Sequence, residues 1–236
     1  MGIDVQKTND ILIKFWNSSI ALSEEDKKEE SKNEVRDYRD LAPSEKLFHA
    51  VEELGNCKKV LDYGCGSGWA SIVAAKSGCA DVTAVDMGQN IIDALDFYAD
   101  LYEVKSSIKS VKISSDWLST VPSDSFDGFV CSNVLDVVPV EVSKEILKET
   151  ARILTKDAKI VIGLNFYMSK EAAESRGMNL VDGKYLFVND VLRLVSMSDE
   201  EWVELFKPYF KVEKLDHFAW PGEQKETRRL FELRRI

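Results

Sequence analysis

Val60-Leu61-Asp62-Tyr63-Gly64-Cys65-Gly66-Ser67-Gly68-Trp69 decides the fold of this chain. A strand-sized apolar run, Lys59–Tyr63, meets three glycines at alternate positions. An Ala-rich helical stretch, Trp69–Lys76, follows. Glycine is required where the backbone takes a positive φ or lies against a ligand with no Cβ between them. A loop that ends at a helix N-terminus offers free N–H groups to electronegative ligand atoms. Strand, glycine loop and helix therefore mark the crevice of an open α/β sheet, at the carboxyl ends of its strands, where ligands bind. The spacing is not the GxGxxG of a dinucleotide site. Trp69 stands where the last glycine should be, and Asp62 would repel a diphosphate. Beside a cation the same carboxylate would attract.

Strands and helices continue to alternate downstream. Val82–Val85, Ile108–Ser114, Phe126–Cys131 and Ala158–Leu164 read as strands, with helices over Ile91–Tyr102 and Val140–Leu154. That order implies a parallel sheet with helices on both faces. The last third differs. Met178–Val181 and Lys184–Val188 flank Asp182-Gly183, a hairpin signal. Ser198 with Glu201 is a capping box for a helix through Phe206. Phe210–Phe218 and Arg229–Leu233 alternate with no helix between them and complete the sheet. Upstream, Ile11, Leu12, Phe15, Trp16 and Ile20 share one helical face. The charged stretch 23–40 opens with a Ser23/Asp26 cap and reads either as a solvated helix or as a lid carrying Tyr38 and Arg39. Ser44 caps a helix over 45–54. The expected architecture is a doubly wound α/β fold with a seven-stranded, mostly parallel, Rossmann-like sheet containing one antiparallel strand. A helical cap, 1–43, precedes the main domain, 44–236, and a hairpin insertion, 166–197, follows the fifth strand.

With 236 residues, 44% of them hydrophobic, the chain can build one sizeable core. A net charge of −10 argues against nucleic acid as a partner, because phosphate neutralisation needs clustered cations. A basic patch has only Arg228, Arg229, Arg234 and Arg235 to draw on. Residues 1–10 lack a basic-then-apolar leader, and no apolar run reaches the length of a membrane span. A cytoplasmic protein with no membrane partner is expected. The four cysteines show no CxxC pairing and read as reduced thiols. Two histidines argue against a His-based metal site, and no metal is expected.

Asp62-Tyr63-Gly64-Cys65-Gly66-Ser67-Gly68 resembles the first motif of the class I S-adenosylmethionine-dependent methyltransferases, and the likeness extends over about residues 44–165. The resemblance implies S-adenosylmethionine as cofactor and S-adenosylhomocysteine as product. It places Asp62, Gly64, Cys65, Gly66 and Gly68 at the cofactor. Asp86, 20 residues after Gly66, is expected to take both ribose hydroxyls. Met87 would pack on the adenine, and Asp116 beside Trp117 would accept from the adenine amino group. Ser132 and Asn133 would line the methionine end.

Methyl transfer from a sulfonium is a direct displacement, so alignment carries most of the catalysis. A base is needed only where the acceptor loses a proton in the transition state. No catalytic residue declares itself; His217 and Asp136 are the candidates, with Tyr167 and His49 behind them. Amino methyltransferases of nucleic acids and proteins often carry an Asp/Asn-Pro-Pro-aromatic motif where this chain has Ser132-Asn133-Val134-Leu135. The Pro-Cys of cytosine enzymes is also missing, and Cys131 reads as a small core residue. The expected acceptor is an O, N or S atom of a small molecule, in a pocket built from Trp16, Tyr38, Tyr167 and the insertion. A protein or RNA substrate, and a non-catalytic cofactor-binding scaffold, stay open as alternatives. The insertion has a second reading as a dimerisation hairpin.

Overall fold

Alternation along the strands sorts apolar side chains onto the two faces of one sheet. In β1 (Val60–Tyr63), Leu61 and Tyr63 join one core layer and Val60 the other. The same division runs through β2 (Val82–Asp86), β3 (Ile108–Lys112), β4 (Phe126–Ser132) and β5 (Leu154–Leu164). The computed structural model describes residues 2–33 and 35–236. Two further strands, β6 (Tyr185–Val188) and β7 (Val191–Val195), form a separate hairpin. The chain then ends in β8 (Phe210–Phe218) and β9 (Arg228–Arg235).

The seven-stranded sheet runs β3-β2-β1-β4-β5-β9-β8. The first five strands are parallel, and β9 runs antiparallel to both β5 and β8. The order reverses between β1 and β4, so the crevice opens there. The chain's helices are α1 (Val5–Ser19), α2 (Glu24–Glu30), α3 (Glu45–Glu52), α4 (Trp69–Lys76), α5 (Gln89–Leu101), α6 (Trp117–Thr120), α7 (Val140–Ile153), α8 (Lys170–Ser175) and α9 (Asp199–Phe206). Helices α3, α4 and α5 cover one face of the sheet, and α7 and α9 the other. The architecture is the doubly wound one expected, down to the capping boxes at Ser23 and Ser198. Helix α2 buries none of its residues. No helix of the described residues is long and apolar enough to cross a membrane.

The hairpin sits later in the chain than the Asp182-Gly183 signal indicates. Asp182 and Gly183, at φ 50° and 73°, close only the isolated bridge Val181–Tyr185. Residues 178–181 form no strand. The hairpin turns instead at Asn189 and Asp190, φ 50° and 63°, residue types that tolerate the left-handed region. Strand β7 escaped the pattern because Val191, Leu192, Leu194 and Val195 are buried on both of its faces, which erases alternation. Nor do the four late arginines form a patch. Alternation in β9 sends them to opposite faces, and each lies beside a carboxylate: Glu223, Asp199, Glu213 and Asp124 in turn.

Helix α1 docks on α5 and β7. Gly88, at the N-cap of α5, has no side chain to cap the helix, and Asn17 of α1 does so from outside. Asn90 N donates to Asn17 Oδ1 at 2.9 Å, and Asn90 Nδ2 to Asn17 O at 3.1 Å. A Cβ on Gly88 would lie 2.7 Å from that Asn17 oxygen, so the close approach needs glycine. Loss of an N-cap costs about 1 kcal/mol. Asn17→Ala is expected to lower unfolding free energy by about that much and to speed hydrogen exchange at the Asn90 amide. Unchanged exchange there would mean that the interhelix cap does not form.

Candidate functional site

A cavity of about 630 Å³ opens at the carboxyl ends of β1, β2 and β4. Its floor is the glycine loop from Tyr63 to Ser67, with Asp86 and Met87 on one side and Ser132 and Asn133 on the other. Gly64, Gly66 and Gly68 all have positive φ, at 71°, 53° and 94°. Two of them also answer to their neighbours. A Cβ on Gly64 would lie 2.3 Å from Val134 Cγ2, and one on Gly68 2.1 Å from Leu95 Cδ1. Gly66 differs: a Cβ there would meet no protein atom within 4 Å, and the residue lines the cavity.

Asp86 is tied down at the end of β2. Its Oδ1 accepts from Met87 N at 2.7 Å and Gly88 N at 3.2 Å, and its Oδ2 from Gly66 N at 3.5 Å. Burial pushes its carboxyl above the usual range, against the pull of these three N–H groups. Asp62 lies beneath the loop rather than on the cavity wall, accepting from Ser71 Oγ at 2.6 Å. Burial raises its carboxyl to about 7. Cys65 is buried and its thiol is pushed up by the same cause. Asn133, at φ 58°, accepts from Ser132 Oγ at 3.2 Å, while its Nδ2 is buried with no partner. A buried donor without an acceptor is costly, and a ligand in this cavity would supply one.

The opposite wall comes from distant parts of the chain. Leu12, Ile13 and Trp16 of α1 face Val142 and Ile146 of α7. The polar groups here are Asn9, Asn165, Arg193 and Arg228. Arg228 lies 3.6 Å over the Trp220 ring, with Nε and Nη2 on Glu223 at 2.8 and 2.6 Å and Nη1 on Asn165. Trp16 lies on this wall as expected, and Arg193, Asn165 and Trp220 join it without a sequence signal. Arg193 sits in the strand whose pattern was hidden, and Asn165 and Trp220 follow strand ends with no motif around them.

Several expected site residues lie outside the cavity lining. Asp116 is exposed in the turn before α6, where Ser114 Oγ donates to it, and Trp117 packs half-buried on the core. Gly68 serves α4 and Leu95 rather than the cavity. Tyr38 packs on Phe48, ring centroids 6.0 Å apart, and Tyr167 is half exposed on the insertion. Asp136 is fully buried. It accepts from Asn165 N through Oδ2, and its backbone oxygen accepts from Val195 N at 2.6 Å. Asp136 thus ties the end of β5 through its carboxylate and the end of β7 through its backbone oxygen, and it is not on the cavity wall. His217, on β8, points its Nε2 at Asp199 Oδ2, 3.0 Å away, and is also absent from the lining.

Residues 60–157 match the family model described as "Methyltransferase domain". A ubiquinone biosynthesis O-methyltransferase of Psychrobacter arcticus is 34% identical over 82 residues, 35% of this chain and 32% of that protein. A ribosomal protein L11 methyltransferase of Thermotoga neapolitana is 28% identical over 163 residues, 67% of this chain and 53% of that protein. The chain thus spans about a third to a half of the length of these relatives. The solved structure of Burkholderia thailandensis 1,6-didemethyltoxoflavin-N1-methyltransferase has 1,6-didemethyltoxoflavin and S-adenosylhomocysteine bound. It superposes with TM-score 0.69 on all of this chain and 92% of its own, at 16% identity. This chain therefore shares the fold of a methyltransferase of known structure, and its residues 60–157 are similar to a methyltransferase domain.

Two measurements test this geometry. Gly64→Ala combines left-handed strain with a clash on Val134 and is expected to cost about 2–4 kcal/mol in urea unfolding. Gly66→Ala carries only the strain, about 1–2 kcal/mol. Equal losses would contradict the difference in surroundings. For Asp62, the folded chain keeps a proton between pH 3.8 and about 7 that the unfolded chain has released. Stability therefore falls as pH rises through that window. In Asp62→Asn the slope of unfolding free energy against pH is expected to flatten by about 1 kcal/mol per pH unit. Superimposable slopes would mean that Asp62 is ionised in the fold.

Proposed function

We propose that this chain is an S-adenosylmethionine-dependent methyltransferase that moves a methyl group to an O, N or S atom of a small molecule. Gly66 carries the reading. Its neighbouring glycines make room for protein, whereas the space above Gly66 is cavity. Its positive φ already favours glycine, and a ligand lying against that backbone would add a second reason for it. The unpartnered Asn133 Nδ2, on the same cavity, supports it.

In this reading Asp86 accepts from the ribose hydroxyls, Met87 packs against the base, and the loop N–H groups face the amino-acid end. Ser132 and Asn133 line the methionine side. Asp62 acts from below the loop, through Ser71 and the start of α4. The cofactor supplies an activated methyl carbon on a sulfonium. The chain's own contribution is to hold the acceptor in line with that carbon and to exclude water, through the apolar faces of α1 and α7. Residues 1–43 serve as a helical cap and the insertion 166–197 as part of the acceptor wall. Proton removal is not assigned to Asp136 or His217, since neither reaches the cavity. A protein substrate is the second reading, favoured by the match to the ribosomal protein methyltransferase over 67% of this chain.

Calorimetric titration with S-adenosylmethionine and S-adenosylhomocysteine, with NAD as control, tests the cofactor. Micromolar binding of the first two and none of NAD is expected. Asp86→Ala should weaken it roughly 10- to 150-fold, the worth of hydrogen bonds to a charged group. Unchanged affinity would remove Asp86 from the site. Labelled methyl groups offered with a cell lysate separate the two substrate classes. Label in small molecules supports the first reading, and label in a protein band the second.

A further inference from the structure

Every described arginine that is at least partly buried has a carboxylate beside it, except one. Arg152 pairs with Glu149, Arg228 with Glu223, Arg229 with Asp199, Arg234 with Glu213 and Arg235 with Asp124. Arg193 enters no ion pair and no side-chain hydrogen bond among the described residues. It is half-buried on β7 and lines the cavity. Its guanidinium carbon lies 4.8 Å from the Phe15 ring centroid and 5.3 Å from that of Trp16. Stacking occupies a guanidinium's face and leaves its N–H edges for planar, bidentate acceptors. In a chain with 41 acidic residues and 31 basic ones, carboxylates are plentiful, yet none is beside this cation. The surrounding wall is apolar, from Leu12, Ile13, Val142 and Ile146, so a charge–charge contact here would be weakly screened. The other cation of the wall, Arg228, is already neutralised by Glu223.

We propose that the methyl acceptor carries an anionic group, a carboxylate or a phosphate ester, on an apolar body, and that Arg193 binds that group. This rests on the methyltransferase reading. Arg193 is then a specificity residue: its charge selects acids over their neutral analogues, while Leu12, Val142 and Ile146 take the apolar body.

The test titrates wild type with S-adenosylhomocysteine first. The saturated protein then receives 2-naphthoate, 2-naphthyl phosphate and the neutral 2-naphthamide. At least one acid is expected to bind roughly 10- to 100-fold more tightly than the amide, as charge-assisted pairing allows. The better of the two acids identifies the group. Arg193→Gln should abolish the preference while leaving S-adenosylhomocysteine affinity unchanged, and Arg193→Lys should restore part of it. A purely structural Arg193 would not separate acid from amide. No preference in wild type, or a preference that survives Arg193→Gln, overturns the proposal alone. Failure of S-adenosylhomocysteine to bind overturns the methyltransferase reading and this proposal with it.

Discussion

Val134 Cγ2 and Leu95 Cδ1 occupy the places that Cβ atoms at positions 64 and 68 would need, at 2.3 and 2.1 Å. This exclusion locks three parts of the chain together. Val134 brings the end of β4 against the loop, and Leu95 brings α5 against the start of α4. The loop can turn from β1 into α4 only with glycine at both points, since their φ values of 71° and 94° add strain for any other residue. Between the two clamps Gly66 is left facing the cavity. Asp86 is held mainly by Met87 N and Gly88 N, and its Oδ2 meets the loop at Gly66 N, 3.5 Å away.

Buried charge holds the outer frame. Asp136 is fully buried, and the amide of Asn165 donates to it. Asn165 in turn accepts from Arg228, whose ring contact is Trp220. The carboxylate thus orients a cavity residue through a chain of contacts, without reaching the cavity itself. Burial raises its pKa, while the Asn165 amide and the nearby Arg229 oppose that rise. Arg229, 1% exposed, stands 3.7 Å from Asp199, which also faces His217. Removing a carboxylate that faces this buried guanidinium leaves its charge less compensated, at a cost of several kcal/mol. The sequence alone could not tell this anchoring role from acid–base chemistry, because both use the same residue types.

The sheet was legible because its determinants are local. Glycines at 64, 66 and 68, alternation in Phe210–Phe218 and the capping box at Ser198 each act within about ten residues. The cavity floor was legible for the same reason: it lies at strand ends that the motif marks. The opposite wall was not. Arg193 sits in a strand buried on both faces, so no period reveals it. Asp116 had the right position after β3, yet the turn with Ser114 sends it to solvent. Asp182-Gly183 has the chemistry of a hairpin turn, but the longer ladder forms around Asn189-Asp190, where both flanking strands bury apolar residues. For Arg193 and the hairpin, tertiary burial outvoted a local signal; for Asp116, one local contact outvoted another.

The two halves of the cavity follow different rules. The floor comes from consecutive strand–helix units and is fixed by sterics. The far wall joins α1, near the start of the chain, to β7 and the segment before β9. Their contact at Arg193, Phe15 and Trp16 raises the question of whether the guanidinium is there only to hold α1. The other contacts of α1 answer it. Leu12 is buried in the main core, and Asn17 caps α5 with its side chain and accepts from the Asn90 side chain through its backbone oxygen. Helix α1 thus has apolar and polar anchors that owe nothing to Arg193. A stacking role alone would also be met by an uncharged side chain of similar length, at no cost in burying a cation. The charge itself is what packing leaves unexplained, and an anionic partner within the cavity accounts for it.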